Sequence, residues 1–211
     1  MVSNETFAKQ AEQIDPLMQA GYRAMERNQP VAACFSWRKT WLLILEWLEQ
    51  HPGLSIEMLD NAFHGQQSIY VWANDFIREL ADAGPLDPFF YQVCIDCCRD
   101  YQKYSNNPDD PGHLSRQRAI ANSLFRLGRQ PEGDAVFTEL TRQKPQWAWG
   151  WTAWASQYSF SRQDPWYDPA KAEKILREGL AVVKNTGRQE IVRQLRELLL
   201  KQGRAAAASL I

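Results

Sequence analysis

Apolar residues recur along this chain at spacings of three and four, and no stretch alternates strictly between apolar and polar positions. Near the C-terminus, Ile191, Leu195, Leu198 and Leu199 fall at i, i+4, i+7 and i+8, which is one face of a helix. Helix-start signals punctuate the pattern. Asp15-Pro16, Asp87-Pro88 and Asp168-Pro169 each put a capping carboxylate before a residue whose missing N–H costs nothing at the first helical position. Asn28-Gln29-Pro30 and Arg129-Gln130-Pro131 set proline just ahead of further periodic runs. The pattern predicts helices over 4–14, 16–28, 30–50, 55–63, 66–83, 88–104, 113–127, 131–143, 146–160, 169–184 and 188–203. Connections are short except at SNNPDDPG (105–112) and SRQDPWYD (161–168). The expected class is all-α: antiparallel helical hairpins stacked as a short solenoid, irregular over 1–104 and regular over 113–203.

A repeat can be tested from Leu114 onward. Counted as the first position of a 34-residue unit, it places Ala121 at 8, Gly128 at 15, Gly133 at 20, Phe137 at 24 and Pro145 at 32. A second unit from Ala148 has Trp151 at 4, Ala155 at 8 and Tyr158 at 11, with Ala172 and Leu176 standing at 20 and 24 after a lengthened turn. Gly21, Ala33 and Trp37 can be placed similarly. These positions resemble the tetratricopeptide family over roughly half the chain, and 54–110 lie outside the resemblance. The run 124–151 is also similar to the helical part of bacterial proteins ending in a cysteine-rich SEC-C metal motif. No such tail follows in KQGRAAAASLI, so no zinc function of that kind is expected.

In the tetratricopeptide family, positions 2, 5, 9, 12 and 13 of each first helix line a groove, where a basic residue at 5 and Asn at 9 grip a terminal carboxylate. The resemblance therefore implies a partner surface of Arg118, Asn122, Phe125 and Arg126, extended onto the next helix by Trp149, Thr152 and Ser156. Its expected partner is a protein or peptide presenting an acidic segment or C-terminus. Ala153 stands where that clamp has Asn at position 6, so the match is incomplete. The simpler reading makes Arg118 and Arg126 solvated helix-face residues.

Charge narrows the alternatives. With 24 Lys+Arg against 25 Asp+Glu, the net charge of -1 argues against broad binding to nucleic acid. The charge is uneven, however: 54–110 hold ten acids and three bases, whereas 171–204 hold nine bases and four acids. That asymmetry suits solvated faces, partner steering or head-to-tail self-association. The N-terminal 20 residues lack an apolar core for a secretory leader, and the WLLILEWL run (41–48) is too short to span a bilayer. A cytoplasmic protein with no membrane partner is expected.

Candidate chemistry is sparse. Cys94, Cys97 and Cys98 share a helical face and could supply three thiolates to a soft metal, giving a thiol- or metal-based sensor or enzyme as the second reading. No histidine is spaced to complete the set, and Phe89, Phe90, Tyr91, Val93 and Ile95 surround the trio, so core packing is favoured and no cofactor or metal is expected. Asp109, Asp110 and His113 read as turn and cap residues rather than a hydrolytic site. Phosphate-cradling and common hydrolytic motifs are missing, so a non-enzymatic scaffold is expected. Of the nine tryptophans, Trp151 and Trp154 join Tyr158 in a stripe that reads as core, while Trp147 and Trp149 point elsewhere.

Overall fold

A computed structural model describes residues 4–107 and 110–211. Among these residues the protein is all-α and has no strand. The helices are α1 (Asn4–Glu26), α2 (Pro30–Gln50), α3 (Ile56–Ala62), α4 (Ile69–Ala83), α5 (Phe89–Tyr104), α6 (His113–Arg126), α7 (Gln130–Gln143), α8 (Ala148–Ser159), α9 (Pro169–Val182), α10 (Arg188–Lys201) and α11 (Ala205–Ala208). None of them is long and apolar enough to cross a membrane. The chain divides within α6 into two compact units, Met1–Ala119 and Ile120–Ile211.

One expected break is missing. α1 runs straight through Pro16, because a proline inside a helix removes one backbone donor without obliging the chain to stop. Asp15 caps nothing there. Its carboxylate instead accepts from the Gln66 backbone N–H at 3.1 Å and from the Gln19 amide at 3.4 Å. Asp168 does cap α9, accepting from the N–H groups of Ala170 and Lys171 at 3.1 and 2.9 Å. α11, which follows Gly203, has no counterpart among the expected helices.

The same turn ends three helices. Asn28, Gly128 and Gly203 have φ of 55°, 74° and 74°, the left-handed conformation that closes a helix C-terminus. In each case the next residue's N–H reaches back five positions: Gln29 to Ala24, Arg129 to Leu124 and Arg204 to Leu199, all at 2.9 Å. Five residues past each turn stands a small buried residue, Ala33, Gly133 or Ala208. Small residues also set helix approach. Gly21 leaves room for the Trp37 indole, Gly133 for the Phe125 ring and Gly179 for the Trp151 ring, so aromatic side chains seat in glycine notches.

In the first unit α1 packs on α2, α4 on α2 and α3, and α5 on α4 and α2. Its core is aromatic. Trp37 donates to the Met18 carbonyl at 2.8 Å and meets Phe76 edge-on, Phe76 stacks on Trp72, and Trp41 lies parallel to Tyr101 at 6.2 Å. In the second unit α8 packs on α7, α9 and α10, and α11 closes on α10. Phe125, Phe137, Trp154 and Tyr158 form its aromatic centre, and the 161–168 loop folds back so that Trp166 meets Phe125 at 5.9 Å.

Candidate functional site

The second unit's share of α6 carries part of the expected partner surface. Asn122 accepts from the Gln157 amide of α8 at 3.0 Å. One turn on, the exposed Arg126 guanidinium lies 5.6 Å from the Phe160 ring, which is 74% exposed at the end of α8. The sequence does not single out Gln157 and Phe160 as surface residues; only their approach to Asn122 and Arg126 across the packed helices reveals them. Trp149 is 55% exposed at the opposite end of α8, eleven residues from Phe160 and thus ~16 Å along the helix.

Three expected surface residues serve other ends. Phe125 is fully buried among Phe137, Tyr158 and Trp166, because its position faces the glycine notch of α7. Thr152 is buried, and its backbone carbonyl accepts from the Gln194 amide of α10 at 3.2 Å. Ser156 accepts from the same amide at 2.7 Å and donates to the Thr152 carbonyl. Both therefore fasten α8 to α10. Arg118 belongs to the first unit's share of α6 and is half-buried, where desolvation lowers its affinity for the proton.

A second polar cluster joins α7, α8 and α9. Asp134 accepts from Tyr158 at 2.5 Å, Lys171 at 2.8 Å and Gln130 at 2.9 Å on one oxygen, and from the Trp154 indole at 2.7 Å on the other. Lys171 also donates to the Tyr158 hydroxyl at 2.6 Å and sits 4.1 Å over its ring. Partial burial pushes the Asp134 carboxyl up, but the donors from Lys171, Tyr158, Trp154 and Gln130 outweigh it and hold the group below the usual carboxylate range. Desolvation and the neighbouring carboxylate raise the Tyr158 phenol, while its bonds to Asp134 and Tyr158 raise the Lys171 ammonium against desolvation. Such a cluster is a charged clasp between helices. Of the stripe of Trp151, Trp154 and Tyr158, Trp151 and Tyr158 are buried and the expected core residue Trp154 is only half-buried, each with its polar tip hydrogen-bonded.

The cysteines lie in the first unit and are all buried, Cys34 with them. Burial pushes the Cys97 and Cys98 thiols well above their ordinary range and Cys34 up to about 12. All four sulfurs lie among the buried apolar side chains of that unit. No group of three or more His, Cys, Asp or Glu side chains is arranged to hold a metal ion among the described residues.

Of the loop acids, Asp109 lies outside the described residues. Asp110 forms an ion pair with Arg116, whose side chain is 1% exposed, donates to the Asn74 amide oxygen at 3.2 Å and covers the Tyr101 ring at 3.9 Å. The loop is tied at its other end by Glu57, which accepts from Ser105 at 2.5 Å and from the Asn106 N–H at 3.1 Å. These charges anchor a loop; His113 simply opens α6. Comparison of the chain with protein-family models, with curated proteins and with solved structures finds no match.

Proposed function

We propose that the second unit is a non-catalytic docking scaffold, a tetratricopeptide-like array of hairpins whose first helices receive an acidic protein segment or C-terminus. The observation that carries this reading is the pairing of Arg126 with Phe160 and of Asn122 with Gln157. Across two adjacent first helices it sets out one exposed cation, one exposed ring and two amides. A carboxylate can pair with the guanidinium, an apolar side chain can cover the ring, and the amides can bond to extended backbone. The recurrent turn and small buried residue at Asn28/Ala33, Gly128/Gly133 and Gly203/Ala208 support a repeated hairpin. The excess of 14 basic over 9 acidic residues from 120 to 211 supports an acidic partner. Trp149, distant along α8, offers a further anchor.

The test is an array of ten-residue peptides, graded in acid content and carrying free or amidated C-termini, probed with the purified chain and with a folded Arg126→Glu/Phe160→Ala variant. Retention of acid-rich peptides, with at least tenfold loss in the variant, is expected. Binding indifferent to peptide acidity, or unchanged in the variant, removes this surface as the site.

A further inference from the structure

Two surfaces of this chain that expose apolar side chains lie on units of opposite net charge. On the second unit, Val192 and Leu200, with Arg188, Gln189, Arg193, Arg196 and Glu197, line an open depression of about 410 Å³ along α10, with Leu200 57% exposed. Arg193 is tied along the helix to Glu190 and Glu197, and Arg196 is exposed beside them. On the first unit, Phe35 of α2 and Phe89 of α5 both contact the buried Phe90 ring, at 5.4 and 5.6 Å, yet remain 47% and 42% exposed. Leu86, 66% exposed, precedes Phe89 by three residues, and the Arg38 guanidinium lies 5.4 Å from the Phe89 ring. The exposed Asp82 and Asp87 flank it: Asp82 acts on the Cys34 thiol next in sequence to Phe35, and Asp87 accepts from the Phe89 N–H.

The charge of each unit fits this division. Residues 1–119 hold 10 basic and 16 acidic side chains, and 120–211 hold 14 and 9, giving net charges of -6 and +5. Contiguous exposed apolar side chains rimmed by charge mark interaction surfaces. An interface that set each surface against itself would appose like net charge; contact between the two different surfaces apposes unlike net charge. We propose that the chain associates head to tail with a second copy of itself, the α10 face of one copy seating on the Phe35/Leu86/Phe89 patch of the next. The contact is heterologous, so it propagates into a ring or a chain of copies. It uses neither Arg126 nor Phe160 and stands apart from the peptide reading above.

The experiment is sedimentation equilibrium of the full chain over a concentration series at low and high salt, with two variants of exposed residues. Arg196→Glu/Leu200→Glu spoils the α10 face; Leu86→Lys/Phe89→Lys spoils the patch. The unmodified chain is expected to exceed monomer mass increasingly with concentration and to lose mass in high salt. Each variant alone should stay monomeric. An equimolar mixture of the two should form a one-to-one dimer and nothing larger, because one intact face of each kind survives. A monomeric unmodified chain at low salt overturns the proposal, as does a monomeric mixture beside an associating parent, or a variant that associates like the parent. Should circular dichroism show that either variant has lost helix, Arg196→Glu and Asp82→Lys/Asp87→Lys replace them. Each must then weaken association at least tenfold; unchanged association in either overturns the proposal.

Discussion

At the scale of single residues, Asp134 shows how a carboxylate can hold three helices. Its oxygens take Tyr158 and Trp154 from α8, Lys171 from α9 and Gln130 from its own helix, so removing the charge strands several donors together. Asp134→Asn should cost about 2 kcal/mol at pH 7, a modest figure for an ion pair because Lys171 keeps partial access to water. Tyr158→Phe, which spares the ion pair, should cost about 1 kcal/mol. The sign of the pH effect follows from the depressed Asp134 group and the elevated Lys171 group. Asp134 contributes its full stabilisation above the unfolded carboxylate value of about 3.9 and loses it as pH falls through the lower folded value. Lys171 contributes fully below about 10.4 and loses its share as pH rises past its own folded value. Urea unfolding of parent and Asp134→Asn should therefore differ most between these limits and converge in acid. A gap that persists below pH 2 would mean that packing, not charge, sets the effect.

At the scale of helices, two backbone positions make opposite predictions. Pro16 sits inside α1, where proline is worth up to about 3 kcal/mol less than alanine, so Pro16→Ala should raise thermal stability. Were the chain to break at Asp15-Pro16, the same change would be neutral or harmful. At the left-handed Gly128, Gly128→Asn should be nearly neutral, since Asn28 already fills the matching turn, whereas Gly128→Val should cost about 1 to 2 kcal/mol in thermal or urea unfolding. Equal losses in both would show that the turn tolerates no side chain. These positions also show what the sequence makes legible. Periodicity, Asp168 and the Gly128 turn disclose all-α structure and most helix positions, because capping and left-handed turns are local chemistry. Pro16 misleads because a carboxylate before proline is ambiguous until its partner, Gln66 across the fold, is known. Of the expected surface, Arg126 and Trp149 stand exposed, whereas Phe125, Thr152 and Ser156 are claimed by neighbours that spacing along one helix does not disclose. The Asp134 clasp is illegible for the same reason: its members come from 130, 134, 154, 158 and 171, and only helix packing joins them.

At the scale of the whole chain, near-neutrality conceals a strong division of charge. A net charge of -1 distributed evenly would leave little field, yet 1–119 carry -6 and 120–211 carry +5. Each sign should be available to an oppositely charged surface, since a resin acts most strongly on the charges nearest to it and low salt leaves that attraction unscreened over about 30 Å. The full chain at pH 7 and low salt should therefore be retained on both a quaternary-ammonium and a sulfonate resin, although its pI of about 6.3 predicts only feeble binding to the first. Retention on the sulfonate resin should depend on the basic side chains of 171–204. Replacing Lys174, Arg196 and Lys201 by glutamine removes three positive charges without disturbing the buried faces of α9 and α10, so it should abolish sulfonate binding and strengthen binding to the cationic resin. Flow-through of the parent on sulfonate at 0.01 M salt would show that the two charge populations cancel at the surface, and steering by the basic unit would lose its physical basis.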